Sequence, residues 1–144
     1  GYKQKEQRRE ADKLLRLHVA KKYEEQLSRL NQIQYDLTLQ GRLRMLVPLE
    51  RASMKLQLLI DRIKTASYGY AGLFDAVKVQ EDELTRLYDF DEAMLASVDT
   101  LASTLDALAE AGQAEDPTLP GNQLIQFLEE LNTTYSQRQD VFLQ

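Results

Sequence analysis

His18 is the only histidine in the chain, and it is the first residue to consider for chemistry, because imidazole is the commonest metal ligand and a general base near neutral pH. It lies beside Val19 among charged residues. A di-iron carboxylate bundle needs a Glu-x-x-His pair on two of its helices, which one histidine cannot complete. With no convergent partner in sight, His18 is expected at a surface or boundary position.

Carboxylates come next. They cluster at Glu81-Asp82-Glu83, at Asp89, Asp91 and Glu92, at Glu115-Asp116 and at Glu129-Glu130. Paired carboxylates can act as acid and base or hold calcium, but the twelve-residue calcium loop with its central glycine is absent. Adjacent charges on a helix point in different directions, so these runs read as solvated faces. Serines and threonines are scattered without a histidine partner or a nucleophile elbow, and there is no glycine-rich phosphate loop. The absence of cysteine removes disulfides, thiolate ligands and thiol nucleophiles together, and leaves the compartment undetermined. The expectation is therefore no enzyme, no catalytic, metal or cofactor-binding residue, and no cofactor.

Tyr68-Gly69-Tyr70-Ala71-Gly72 is the most unusual local composition. Small residues beside tyrosines suit close backbone approach or an adaptable contact patch. A bend or a tight crossing within the fold, with Tyr70 on the seam, is the preferred reading, because seam tyrosines and helix glycines need no partner.

Because the residue types suggest so little chemistry, the information lies in the elements that carry them. From Leu49 onward every seventh residue, through Leu56, Ile63, Tyr70, Val77, Leu84, Asp91, Val98 and Leu105, belongs to one series, and the positions three later form a second, from Ala52 to Leu108. Sixteen of these eighteen positions are apolar, Gln80 and Asp91 being the exceptions. A 3.5-residue repeat held over nine heptads is the a/d seam of a coiled coil or of a bundle packed in that way. An unbroken helix from Pro48 to Ala111 would be roughly 96 Å long, so it must fold back or protrude.

Two sites suit a break. Gly69 and Gly72 each cost about 1 kcal/mol in a helix interior. Asp89-Phe90-Asp91-Glu92 has capping-box spacing and is preferred, because a break at Tyr88–Asp91 explains an aspartate on the seam. Upstream, Leu15, Val19, Tyr23, Leu27, Leu30, Ile33 and Leu37 form a stripe at helical spacing after a polar opening expected to be exposed or frayed. Pro48 fits the first position of a helix, so a turn is expected at Leu46–Pro48. Downstream, Ala111-Gly112 is a stop signal and Asn122 can cap a final helix striped with Leu124, Phe127, Leu128, Leu131 and Tyr135.

The expected fold is all-α and a single domain over 1–144. Long antiparallel helices at about 3–46, 48–88, 91–111 and 122–143 would form a three- to four-helix bundle with coiled-coil-like packing. No segment alternates with period two for long enough to be a strand.

Charge is uneven along the chain. Residues 1–51 carry 12 lysines and arginines against 7 carboxylates, whereas the net charge of the whole is −5. An acidic body argues against nucleic acid as a partner. The basic start suits either anionic lipid, the cytoplasmic flank of a membrane span, or contact with the acidic remainder of the same fold. No apolar run here spans a bilayer. Because the chain opens on Gly1 and stops at Gln144 within a helical pattern, it is expected to be a piece of a longer protein, and any membrane anchor would lie outside it. The compartment is left open, with the cytoplasm preferred.

Function follows from the helices. The reading is a non-catalytic interaction or scaffold module, a homo-oligomer or the partner of another helical protein, possible as the soluble part of a membrane-anchored protein. The alternative is an extracytoplasmic four-helix ligand-sensing domain, against which the basic start counts. Association is expected from unequal lengths: two helices of about forty residues, covered by two of half that, would leave apolar surface bare.

Overall fold

A computed structural model describes residues 2–65, 81–111 and 117–143. Among the described residues there are four helices and no strand: α1 (Tyr2–Leu39), α2 (Leu43–Lys64), α3 (Glu81–Glu110) and α4 (Leu119–Leu143). Their 38, 22, 30 and 25 residues make well over two thirds of the chain helical, so the all-α expectation holds. None of these helices is long and apolar enough to cross a membrane.

α1 ends where a glycine permits it. Gly41 has φ +73°, its N–H donates to the Thr38 carbonyl at 3.1 Å, and the Arg42 N–H donates to the Leu37 carbonyl at 2.9 Å. These are the two bonds of a Schellman motif, with Gly41 at the left-handed position that L side chains avoid. The turn expected at Leu46–Pro48 thus falls at residues 40–42. Pro48 lies inside α2, one turn beyond its start, where it forfeits only the hydrogen bond to the carbonyl of residue 44.

α2 stops at Lys64, well short of the expected 88. The Thr65 N–H and hydroxyl both donate to the Asp61 carbonyl, at 2.9 and 2.6 Å. Two further end carbonyls, which no helical N–H can reach, accept from Arg16 of α1, as described below. The possible bend at Gly69–Gly72 lies outside the described residues.

α3 runs without interruption through Asp89–Glu92, so the expected break at Tyr88–Asp91 is absent. A capping box contributes about 1 kcal/mol. Each apolar side chain kept on an unbroken seam contributes about 1.5–3 kcal/mol, and Met94, Val98, Leu101, Leu105 and Leu108 are all buried. The seam wins, and Asp91 is carried into the interior with it, only 3% exposed.

α4 begins three residues before the expected 122. Pro120 occupies its first turn, where a missing N–H costs nothing. Asn122 is therefore not the cap; its N–H donates to the Thr118 carbonyl at 3.0 Å.

α1 packs against α2 and α3, and α4 packs against the same two; among the described residues α1 does not meet α4, nor α2 α3. Directions follow from the pairs in contact. Arg16 meets the end of α2 while Asn31 meets Ser53, so α1 and α2 are antiparallel. Tyr23 meets Met94 and Arg29 pairs with Asp106, so α1 and α3 run the same way. Lys55 pairs with Glu129 and Arg62 reaches Ser136, so α2 and α4 do too. The core between them is one apolar cluster, with Leu30, Leu49, Leu56, Leu101, Leu105 and Leu128 fully buried. In α2 both seam series, Leu49, Leu56 and Ile63 with Ala52 and Leu59, point into it.

Candidate functional site

His18 is exposed on α1. Among the described residues no group of three histidines or carboxylates stands close enough to hold a metal. Asp89, Glu92 and Glu130 are exposed, and Glu129 pairs with Lys55. Asp91 alone of these is buried. Tyr68–Gly72 and Glu115–Asp116 lie outside the described residues. Among the described residues, the structure brings none of the singled-out side chains together into a reactive constellation.

It does assemble polar contacts that the sequence did not signal. Arg16 is buried beside Asp12, its Nε donating to Asp12 Oδ2 at 2.9 Å, while one terminal nitrogen donates to the Ile63 carbonyl at 3.1 Å and the Lys64 carbonyl at 3.4 Å. One guanidinium fork therefore neutralises a buried carboxylate and completes the end of another helix. Lys64 turns its own ammonium to Glu24 on α1. Periodicity offered no hint of this, because the partners are 47 and 48 residues apart.

Between α2 and α4, Arg62 donates to Asn132 Oδ1 at 3.2 Å and Ser136 Oγ at 2.7 Å, and its guanidinium stands 5.5 Å from the Tyr135 ring centre. The Tyr135 hydroxyl returns to the Arg62 carbonyl at 3.3 Å. Between α1 and α3, the buried Tyr23 hydroxyl donates to the Met94 carbonyl at 2.6 Å. Burial pushes the Tyr23 phenol well above its ordinary range, and the Ser97 side chain offsets a part of that. A phenol held so firmly protonated is a structural donor and not a base. Every one of these groups is used up in joining helices.

What is left unused lies outside. Leu43, Val47, Met54 and Leu58 of α2 are 53–74% exposed. At about 100° per residue they fall within an arc of roughly 60°, on the side of α2 opposite its buried seam. α2 is thus apolar on two opposed faces, of which the fold covers one. Glu50 and Arg51 flank the bare stripe on its two sides, both exposed. The spacings of four, seven and four are legible in the sequence, but they share α2 with the longer seven-residue seam, and spacing does not say which of two apolar faces a fold covers. Single exposed leucines on a surface are ordinary; a stripe at helical spacing is the pattern associated with contact.

Comparison with family models, curated proteins and solved structures finds no match to this chain.

Proposed function

We propose that this chain is a non-catalytic helical interaction module, a four-helix bundle with coiled-coil-like seams that works by association through a helix face. The observation that carries the reading is the bare apolar stripe of Leu43, Val47, Met54 and Leu58 on α2. Unequal helix lengths do not carry it, since α2 has 22 residues and not forty. Support for coiled-coil-like packing comes from the burial of both heptad series along α2 and of Met94 to Leu108 along α3.

Four apolar side chains held in water at these exposures would gain about 25 cal/mol for each Å² covered, so a partner burying several hundred Å² would gain several kcal/mol before association entropy is subtracted. Affinity in the micromolar range is the scale to expect from so narrow a surface. Sedimentation equilibrium over a wide concentration range tests the reading. The expected result is a mass that rises above 16.6 kDa with concentration; a constant monomer mass up to high micromolar concentration would remove self-association from it.

A further inference from the structure

We propose that the outer face of α2 pairs with the same face of a second copy of this chain, the two helices running parallel about a two-fold axis along their length. The inference rests on the association reading above and names its surface, its partner and its orientation.

Charge on the two flanks of the stripe decides the orientation. On the flank toward α4 lie Arg44 and Arg51, both exposed; on the flank toward α1 lies Glu50, also exposed, while Asp61 continues the line of Leu43 beyond the end of the stripe. Neither Glu50 nor Arg51 makes an ion pair among the described residues. Lys64, also on the α1 side, is taken up by Glu24, so the charges left unused beside the middle of the stripe are Glu50 on one flank and Arg51 on the other.

An antiparallel pair related by a two-fold axis brings each flank against its own copy. Because Leu43, Val47, Met54 and Leu58 are spaced symmetrically about the midpoint between Glu50 and Arg51, their antiparallel apolar register would be good, yet Arg51 would face Arg51 and Glu50 would face Glu50. Like charges at such a contact oppose pairing. A parallel pair brings each flank against the opposite one at the same height, so Arg51 of either copy faces Glu50 of the other, twice over, while the four apolar residues meet their own counterparts. The stripe is roughly 22 Å long, a contact at the small end of specific interfaces. A reversible dimer is the consequence.

The chain contains no cysteine, so single thiols can be introduced cleanly. Sedimentation equilibrium of the full chain is compared with Val47→Glu/Met54→Glu, with Glu50→Arg, and with Glu50→Arg/Arg51→Glu; melting curves of each at low concentration establish that the fold is kept. The expected outcome is that the apolar double variant is monomeric with an unchanged fold, that Glu50→Arg alone raises the dimer dissociation constant about tenfold, a like-charge effect, and that the charge exchange restores it. Met54→Cys should then form a disulfide between copies under mild oxidation. A disulfide that forms only when Val47→Cys and Met54→Cys chains are mixed would overturn the parallel sense. A dimer that survives Val47→Glu/Met54→Glu would overturn this surface while leaving association standing. A parent chain that is monomeric throughout would overturn the pairing together with self-association, leaving the face to a helix of another protein.

Discussion

Gly121 lies directly against Pro48: a β-carbon built at Gly121 would stand 2.7 Å from Pro48 Cγ and 2.8 Å from Pro48 Cβ. The proline is rigid and buried, and its ring occupies space that any other residue at 121 would claim. α2 and α4 approach through this pair. Gly→Ala inside a helix ordinarily gains about 1 kcal/mol, whereas overpacking costs about 1–3 kcal/mol. Gly121→Ala is therefore expected to destabilise the fold by up to about 2 kcal/mol in urea unfolding. In a Pro48→Gly background the same change should be neutral or stabilising, and equal losses in both backgrounds would show that the contact is not what Gly121 serves.

Arg16 joins the buried Asp12 to the end of α2. Removing one partner of a buried pair costs about 3–5 kcal/mol, mostly through the charge left behind. Arg16→Ala should approach that loss. Arg16→Lys should recover less than half of it, because a point-like ammonium cannot serve a carboxylate and two carbonyls at fixed fork angles. Full rescue by lysine in denaturant titrations would show that charge alone suffices.

The Tyr23 hydroxyl bond to Met94 predicts two effects. At neutral pH Tyr23→Phe should cost about 1 kcal/mol, the net value of one hydrogen bond. At alkaline pH the sign is set by the raised pKa: the unfolded phenol titrates at 10.0 and the folded one higher. The unfolded state thus loses its proton first, so this contribution to stability is complete below pH 10 and is lost as pH rises above it. The stability difference between parent and Tyr23→Phe should shrink above pH 10 and then change sign, as chemical unfolding at a series of pH values would reveal. A difference independent of pH would mean that Tyr23 ionises equally in both states.

The two faces of α2 predict opposite responses. Leu56 is fully buried and Met54, two residues away, is 74% exposed. Leu56→Ala should cost about 2–5 kcal/mol. Met54→Ala should change the stability of the dilute chain by less than about 0.5 kcal/mol. Thermal unfolding at low micromolar concentration compares them, and a comparable loss at Met54 would place that side chain in the core.

The heptad seam made the helical class legible, and with it the buried positions of α2 and of the second half of α3. It did so because a stripe at 3.5-residue spacing has no other use than to bury one side of a helix. It also contained the evidence against the break at Tyr88–Asp91, since the heptad phase never shifts there. The local capping pattern at Asp89–Glu92 points the other way, but a cap is worth less than the apolar contacts an unbroken helix keeps.

Helix ends were less legible. Gly41 and Pro48 are both turn residues, and local chemistry ranks the proline at a helix start as readily as the glycine at a helix end. The turn falls at the glycine because Pro48 can be kept inside α2, with Gly121 of α4 standing beside it. That partner is 73 residues away in the chain, and no local rule connects them.

From the sequence alone came the class of structure, the stripe of each helix and the uneven charge, all of them properties of neighbouring residues and of helical periodicity. Only the tertiary structure decided which of the two apolar faces of α2 is covered, where α2 stops, and that Arg16, Arg62 and Tyr23 are spent on carbonyls of other helices. The physical reason is that a helix face becomes core or surface only when another helix lies on it. Likewise, an orphan carbonyl at a helix end is satisfied by whichever donor the packing brings within about 3 Å.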